Sequence, residues 1–155
     1  MSQTMVGQKV PDIAVLNQDG EKVSLTDFKG KNMVLYFYPK DMTPGCTTES
    51  CDFRDYHPEF EKLNTVVIGV SPDDITSHQK FIAKHNLPFT LLADTEQALA
   101  KHFDVWKLKK NFGKEYMGIE RSTFVINTEG EIVKEWRNVK VKGHVEEVLQ
   151  FVREM

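Results

Sequence analysis

Cysteine is scarce in this sequence, with two in 155 residues. That is too few for the disulfide framework of a small secreted domain, and in a reducing compartment so small a number points to catalytic, redox-sensing or metal-binding thiols. Long apolar runs are missing too. None approaches the ~20 residues of a membrane span, and residues 1–6 have neither the basic flank nor the apolar core of a secretory leader, so a soluble, cytoplasmic protein is expected. Charge of one sign is not in excess: 20 basic against 23 acidic residues leave a net of -3, spread along the chain. Neither nucleic acid nor a membrane surface is therefore expected as a partner. The nine glycines are scattered at turns and ends and build neither a phosphate cradle nor a dinucleotide fingerprint, so no cofactor is expected. No Pro/Gly/Ser-rich linker interrupts the chain, and its length suits one domain, residues 1–155, around one substantial core.

What is present is concentrated in residues 38–51, Tyr-Pro-Lys-Asp-Met-Thr-Pro-Gly-Cys-Thr-Thr-Glu-Ser-Cys, which hold both cysteines. An apolar run, residues 32–38, precedes them and reads as a central strand buried on both faces; Pro39 stops it. A helix then starts, with Thr43 as N-cap, Pro44 at the first helical position, Gly45 next and Cys46 third. In this register the Thr43 hydroxyl is expected to accept from the Cys46 amide. Phe53, Tyr56, Phe60 and Leu63 form the core stripe. At ~100° per residue, Cys46 and Glu49 lie within about 40° of Phe53 around the axis and Cys51 about 160° away. Cys46 and Glu49 are thus expected to face inward and Cys51 outward.

The remaining elements follow in order. Residues 13–16 and 23–25 flank Asn-Gln-Asp-Gly as an N-terminal hairpin. Residues 65–71 form a second buried strand, 73–86 a helix with Ile75, Phe81 and Ile82 apolar, 89–93 a short strand, and 95–103 a short helix with Leu99 and Phe103 inward. Residues 105–119 show no clean period and read as a long loop or irregular ribbon, often a functional feature at this length. Residues 122–126 and 132–136 pair as a hairpin across Asn-Thr-Glu-Gly, and Val145, Val148, Leu149 and Val152 stripe a last helix. His57, His78, His85, His102 and His144 are dispersed and read as solvated. The layout is α/β, a mixed sheet between helices, and a cysteine-bearing helix after a central strand is the thioredoxin-like arrangement.

Pro39, three residues, Thr43, two residues, Cys46 closely resembles the peroxiredoxin active-site signature. A second cysteine five positions on, at Cys51, together with Asp52-Phe53-Arg54-Asp55 and residues 113–124, is similar to the bacterioferritin-comigratory (Q-type) subfamily. The resemblance implies a thiol-dependent peroxidase in antioxidant defence. A Cys46 thiolate would attack a peroxide and become a sulfenic acid, Cys51 would resolve it as a disulfide, and thioredoxin or a similar dithiol protein would recycle the pair. A free thiol, with a pKa of ~8.5, is mostly protonated at neutral pH; a helix N-terminus, its unpaired amides and a nearby cation favour the thiolate. Arg121 is nominated as that cation by the resemblance. It cannot deprotonate, so it would also stabilise charge on the leaving oxygen. Thr43 would orient the peroxide, Pro39 and Pro44 would shield the sulfur, and Glu49 would hold Arg121. The subfamily leans toward monomer.

Geometry adds a constraint. Residues five apart in a helix are separated by ~7.5 Å along the axis and diverge, beyond the ~7 Å Cα limit for a disulfide. Cys46 and Cys51 can therefore bond only if the first turns unwind. Plainer readings exist for each residue: Cys46 as a small buried hydrophobe, Cys51 as a bystander, Arg121 as a surface ion-pair partner, Glu49 as a first-turn carboxylate favouring the helix dipole. Two other function classes share the inventory. A disulfide reductase usually spaces its cysteines by two residues rather than four, and a metal-binding or redox-sensing module of Cys46, Cys51 and His57 lacks the four-ligand spacing of structural zinc.

Overall fold

The computed structural model describes residues 4–155; Met1, Ser2 and Gln3, half of the stretch read for a leader, lie outside it. Among the described residues no helix is long and apolar enough to cross a membrane. The N-terminal hairpin forms as the sequence predicts, β1 (Ala14–Asn17) antiparallel to β2 (Lys22–Ser24). A 3-10 turn, Leu25–Phe28, leads to β3 (Asn32–Phe37), which lies inside the sheet because its residues from Met33 to Phe37 are apolar and buried. It lies parallel to β4 (Thr65–Ser71) and antiparallel to β8 (Ser122–Ile126). With β5 (Thr90–Ala93) and β9 (Ile132–Trp136), the sheet runs β2-β1-β5-β4-β3-β8-β9.

Successive side chains of β3 point to opposite faces and enter two separate cores. Met33, Leu35 and Phe37 join Leu99, Phe103 and Phe124 on one side. Val34, Tyr36 and Tyr38 join Phe53, Phe60, Phe81, Val145, Val148 and Leu149 on the other. That second core is covered by α1 (Pro44–Lys62), α2 (Ile75–His85) and α4 (His144–Arg153), and the first by α3 (Ala98–His102). Gly69 of β4 is required by this packing, since a Cβ there would stand 2.7 Å from Leu91 and 2.8 Å from the Tyr36 ring.

Two expectations need correction. Residues 105–119 are not an irregular ribbon but a regular antiparallel hairpin, β6 (Trp106–Asn111) with β7 (Lys114–Ile119). Phe112 and Gly113 form its two-residue turn at φ 53° and 76°, the paired positive angles that match the twist of the strands. Both faces of its outer half meet solvent, and Phe112 is 97% exposed, so the apolar alternation that marks a half-buried strand is blurred. The histidines are not all solvated either. His78 and His144 are buried, because each finds a partner far away in the chain: His78 in Asp41 and the Leu92 carbonyl, His144 in the Thr123 hydroxyl.

Candidate active site

The turn before α1 decides where the cysteine goes. Met42 takes a left-handed φ of 68°, Thr43 is extended as N-cap, and Pro44 occupies the first helical position, where its missing N–H costs nothing. The Thr43 hydroxyl does not cap the helix as expected. The curl at Met42 brings it over the Lys40 carbonyl, to which it donates at 2.8 Å, while the Thr43 carbonyl accepts from Thr47 N–H. Having spent its hydrogen on Lys40, the Thr43 oxygen keeps its lone pairs. The amides of the first helical turn have no carbonyl four residues back within the helix, and they concentrate partial positive charge at that end.

The turn is itself held by a buried network that sequence reasoning missed. Asp41, 4% exposed, accepts from the Tyr38 hydroxyl at 2.6 Å and from Ser77 Oγ at 2.8 Å, and lies 2.7 Å from His78 Nδ1. Its own N–H donates to Asp73 Oδ2 at 2.7 Å. Because the opposite ring nitrogen faces the Leu92 carbonyl at 2.9 Å, which can only accept, His78 carries a proton on Nε2. The signal lay in the sequence as an aspartate beside the prolines and a histidine on the apolar side of a helix.

Cys46 is fully buried in the second core, and Glu49, one helical turn on, is fully buried beside it. Arg121 arrives from the other end of the chain. Ser122 pairs with Phe37 in the sheet, so the residue before it stands at the end of β3 where the chain turns into α1. The Arg121 carbonyl accepts from Val139 N–H at 3.0 Å, which fixes its backbone. Its guanidinium then forks: Nη2 donates to Cys46 Sγ at 3.2 Å and Nη1 to Glu49 Oε1 at 2.6 Å. A fixed planar fork can serve two acceptors at once in this way. The Arg121 side chain, 15% exposed, is the wet edge of the site.

Burial pushes the Glu49 carboxyl up to about 7, outweighing the pull of Arg121. Its second oxygen, Oε2, is buried without a hydrogen-bond partner. His144 lies within electrostatic reach of Arg121, and burial, then the guanidinium charge, lower it to about 4, which keeps it neutral against Thr123. Pro39 is half-buried and Pro44 exposed.

Cys51 was expected to face outward; it is half-buried, belongs to neither core, and burial holds its thiol above the ordinary value. Both thiols are free and share one unbroken helix. Among the described residues no three His, Cys, Asp or Glu side chains are grouped as metal ligands, so Cys46, Cys51 and His57 do not form a set. A groove of about 490 Å³ lined by Leu16, Ile75 and Asp94 does not include the sulfur's surroundings.

Residues 6–135 match the AhpC/TSA family. The chain belongs to that family. It is a peroxiredoxin, a peroxidase class of oxidoreductase, with the thioredoxin-like fold that its sequence suggested. Peroxiredoxin Bcp of Bacillus subtilis is 65% identical over 97% of this chain and 96% of its own. Among solved structures, the bacterioferritin comigratory protein of Xanthomonas campestris superposes with a TM-score of 0.91 at 42% identity, covering 96% of this peroxiredoxin and 98% of its own chain. A PrxQ mutant of Xylella fastidiosa gives 0.94 at 40%, with 99% and 98% covered.

Proposed function

We propose that this peroxiredoxin reduces hydrogen peroxide and organic hydroperoxides through Cys46, with Cys51 as resolving thiol and thioredoxin or a similar dithiol protein as reductant, as a monomer in the cytoplasm. The observation that carries the reading is the Arg121 nitrogen 3.2 Å from a sulfur set in the first turn of α1. A fixed positive group there stabilises a thiolate against the thiol. The thiolate attacks the terminal oxygen of the peroxide; the S–O bond forms as the O–O bond breaks, and the leaving oxygen takes a proton and departs as water or an alcohol. Arg121 stabilises the negative charge developing on that oxygen. The Thr43 lone pairs accept from the peroxide hydroxyl, Glu49 holds the guanidinium, and Pro39 and Pro44 border the sulfur. The Xanthomonas relative is described by its alkyl peroxide reduction activity, which supports including organic hydroperoxides.

Cys51 then attacks the sulfenic acid, water leaves, and an S–S bond forms once the first turns of α1 have unwound. An external dithiol reduces this bond by exchange. Peroxide consumption with a thioredoxin system tests the scheme. Cys46→Ser is expected to abolish turnover; Cys51→Ser is expected to keep one round of oxidation and lose or weaken recycling. Normal consumption by Cys46→Ser would refute the assignment.

A further inference from the structure

Lys109 stands on β6 opposite Tyr116, and its side chain is laid across the neighbouring strand. A Cβ on Gly118 would come within 3.2 Å of Lys109 Cδ and 3.5 Å of Cε, so the bare backbone of Gly118 is the channel along which these methylenes run. That path leads toward the end of β7, from which the chain passes through Glu120 to Arg121. Lys109 is accordingly only half exposed, and its ammonium lies within electrostatic reach of Arg121, the Cys46 sulfur and Glu120.

The charges around the sulfur explain why a second cation belongs there. One guanidinium serves two groups that can be anions, Glu49 at 2.6 Å and Cys46 at 3.2 Å. Two buried anions against a single cation leave an uncompensated charge where charge is costly. Glu49 also senses Asp52, another carboxylate, and Tyr36 lies close to both Glu49 and Cys46. His144, within electrostatic reach of Arg121, is neutral and supplies no positive charge. Arg121 opposes the Lys109 charge, while the Cys46 sulfur and Glu120 favour it.

We propose that Lys109, carried in by the β6–β7 hairpin, is a positioning residue that balances charge, favouring the Cys46 thiolate under an Arg121 that is already shared with Glu49. The proposal rests on the peroxidase reading of Cys46 but acts on the sulfur itself, so it can be read without turnover.

The experiment follows Cys46 alkylation by iodoacetamide across pH, located by peptide mass spectrometry, beside single-turnover peroxide oxidation. Lys109→Met and Lys109→Gln are expected to alkylate about three- to tenfold more slowly near neutral pH and to converge on the wild type in alkali, as the loss of one neighbouring charge requires. Lys109→Arg is expected to stay within about twofold, and high salt to narrow the gap by screening the half-exposed ammonium. Identical pH profiles for wild type and the neutral variants would overturn the proposal. So would equal impairment in the Arg variant, or loss of the fold in both neutral variants, since either outcome makes the residue structural. If the wild type alkylates as expected and consumes no peroxide through Cys46, the peroxidase reading falls and the Lys109 effect is judged on alkylation alone.

Discussion

At Gly45 a methyl group would stand 3.3 Å from Arg121 Nη2, the nitrogen that donates to the sulfur. Gly45 is helical and exposed, so Gly45→Ala is expected to leave the fold intact and to displace the guanidinium by a few tenths of an ångström. Stopped-flow oxidation by hydrogen peroxide should then slow about tenfold, given that a misplacement of ~1 Å can cost a hundredfold. Arg121→Lys keeps a charge and loses the fork that reaches sulfur and carboxylate together; a loss of about a hundredfold is expected, and a near-normal rate would show that charge alone suffices. Cys46 and Glu49 were legible because helical periodicity alone places both beside Phe53. Arg121 was legible only through its motif, since no local pattern says that residue 121 meets residue 46. The Thr43 hydroxyl was misread because its direction depends on the positive φ of Met42, which nothing in the residue type of methionine announces.

In the proposed scheme the first turns of α1 serve two incompatible geometries. As a helix they hold Cys46 under Arg121 and keep Cys51 out of reach; burial also holds the Cys51 thiol above its ordinary value. In the reduced protein Cys51 is therefore expected to alkylate more slowly than Cys46 at neutral pH. Once Cys46 is oxidised and paired, amides 44–55 should lose exchange protection by mass spectrometry while the rest of the chain does not. Equal protection of this segment in both redox states would contradict the unwinding. Most elements were readable to within a few residues, because their apolar faces meet one of the two cores. The hairpin at 106–119 was not. Trp106 and Ile119 pack at its base, but Leu108, Tyr116 and Met117 stand in solvent, so the alternation that reports a buried face carries no such information there.

Across the whole molecule, two buried titratable groups set opposing pH dependences. Glu49 is raised to about 7, so its contribution is complete below the ordinary carboxyl range and is lost as pH rises through 7. His144 is lowered to about 4, so its contribution is complete above the ordinary imidazole value and is lost as pH falls through 4. Each amounts to roughly 3 kcal/mol at most, and in mildly acidic solution they offset. Glu49→Gln should expose the histidine, with urea midpoints falling steadily below about pH 6.5; His144→Asn should show the reverse, midpoints falling as pH rises from about 4.5 to 7. Flat profiles in both variants would contradict the assignment. The burial of His78 and of His144 was not legible in the sequence, because dispersed histidines look alike until the fold brings Asp41 to His78, 37 residues away, and Thr123 to His144, 21 away. The pairing of Ser122 with Phe37 has one more outcome, in the order of synthesis. Arg121 is encoded 75 residues after the cysteine it touches, and it reaches the sulfur only when β8 zips against β3. A nascent chain that has not yet reached β8 thus carries Cys46 without its guanidinium, and in the proposed scheme the thiol is armed against peroxide only after that strand has been made.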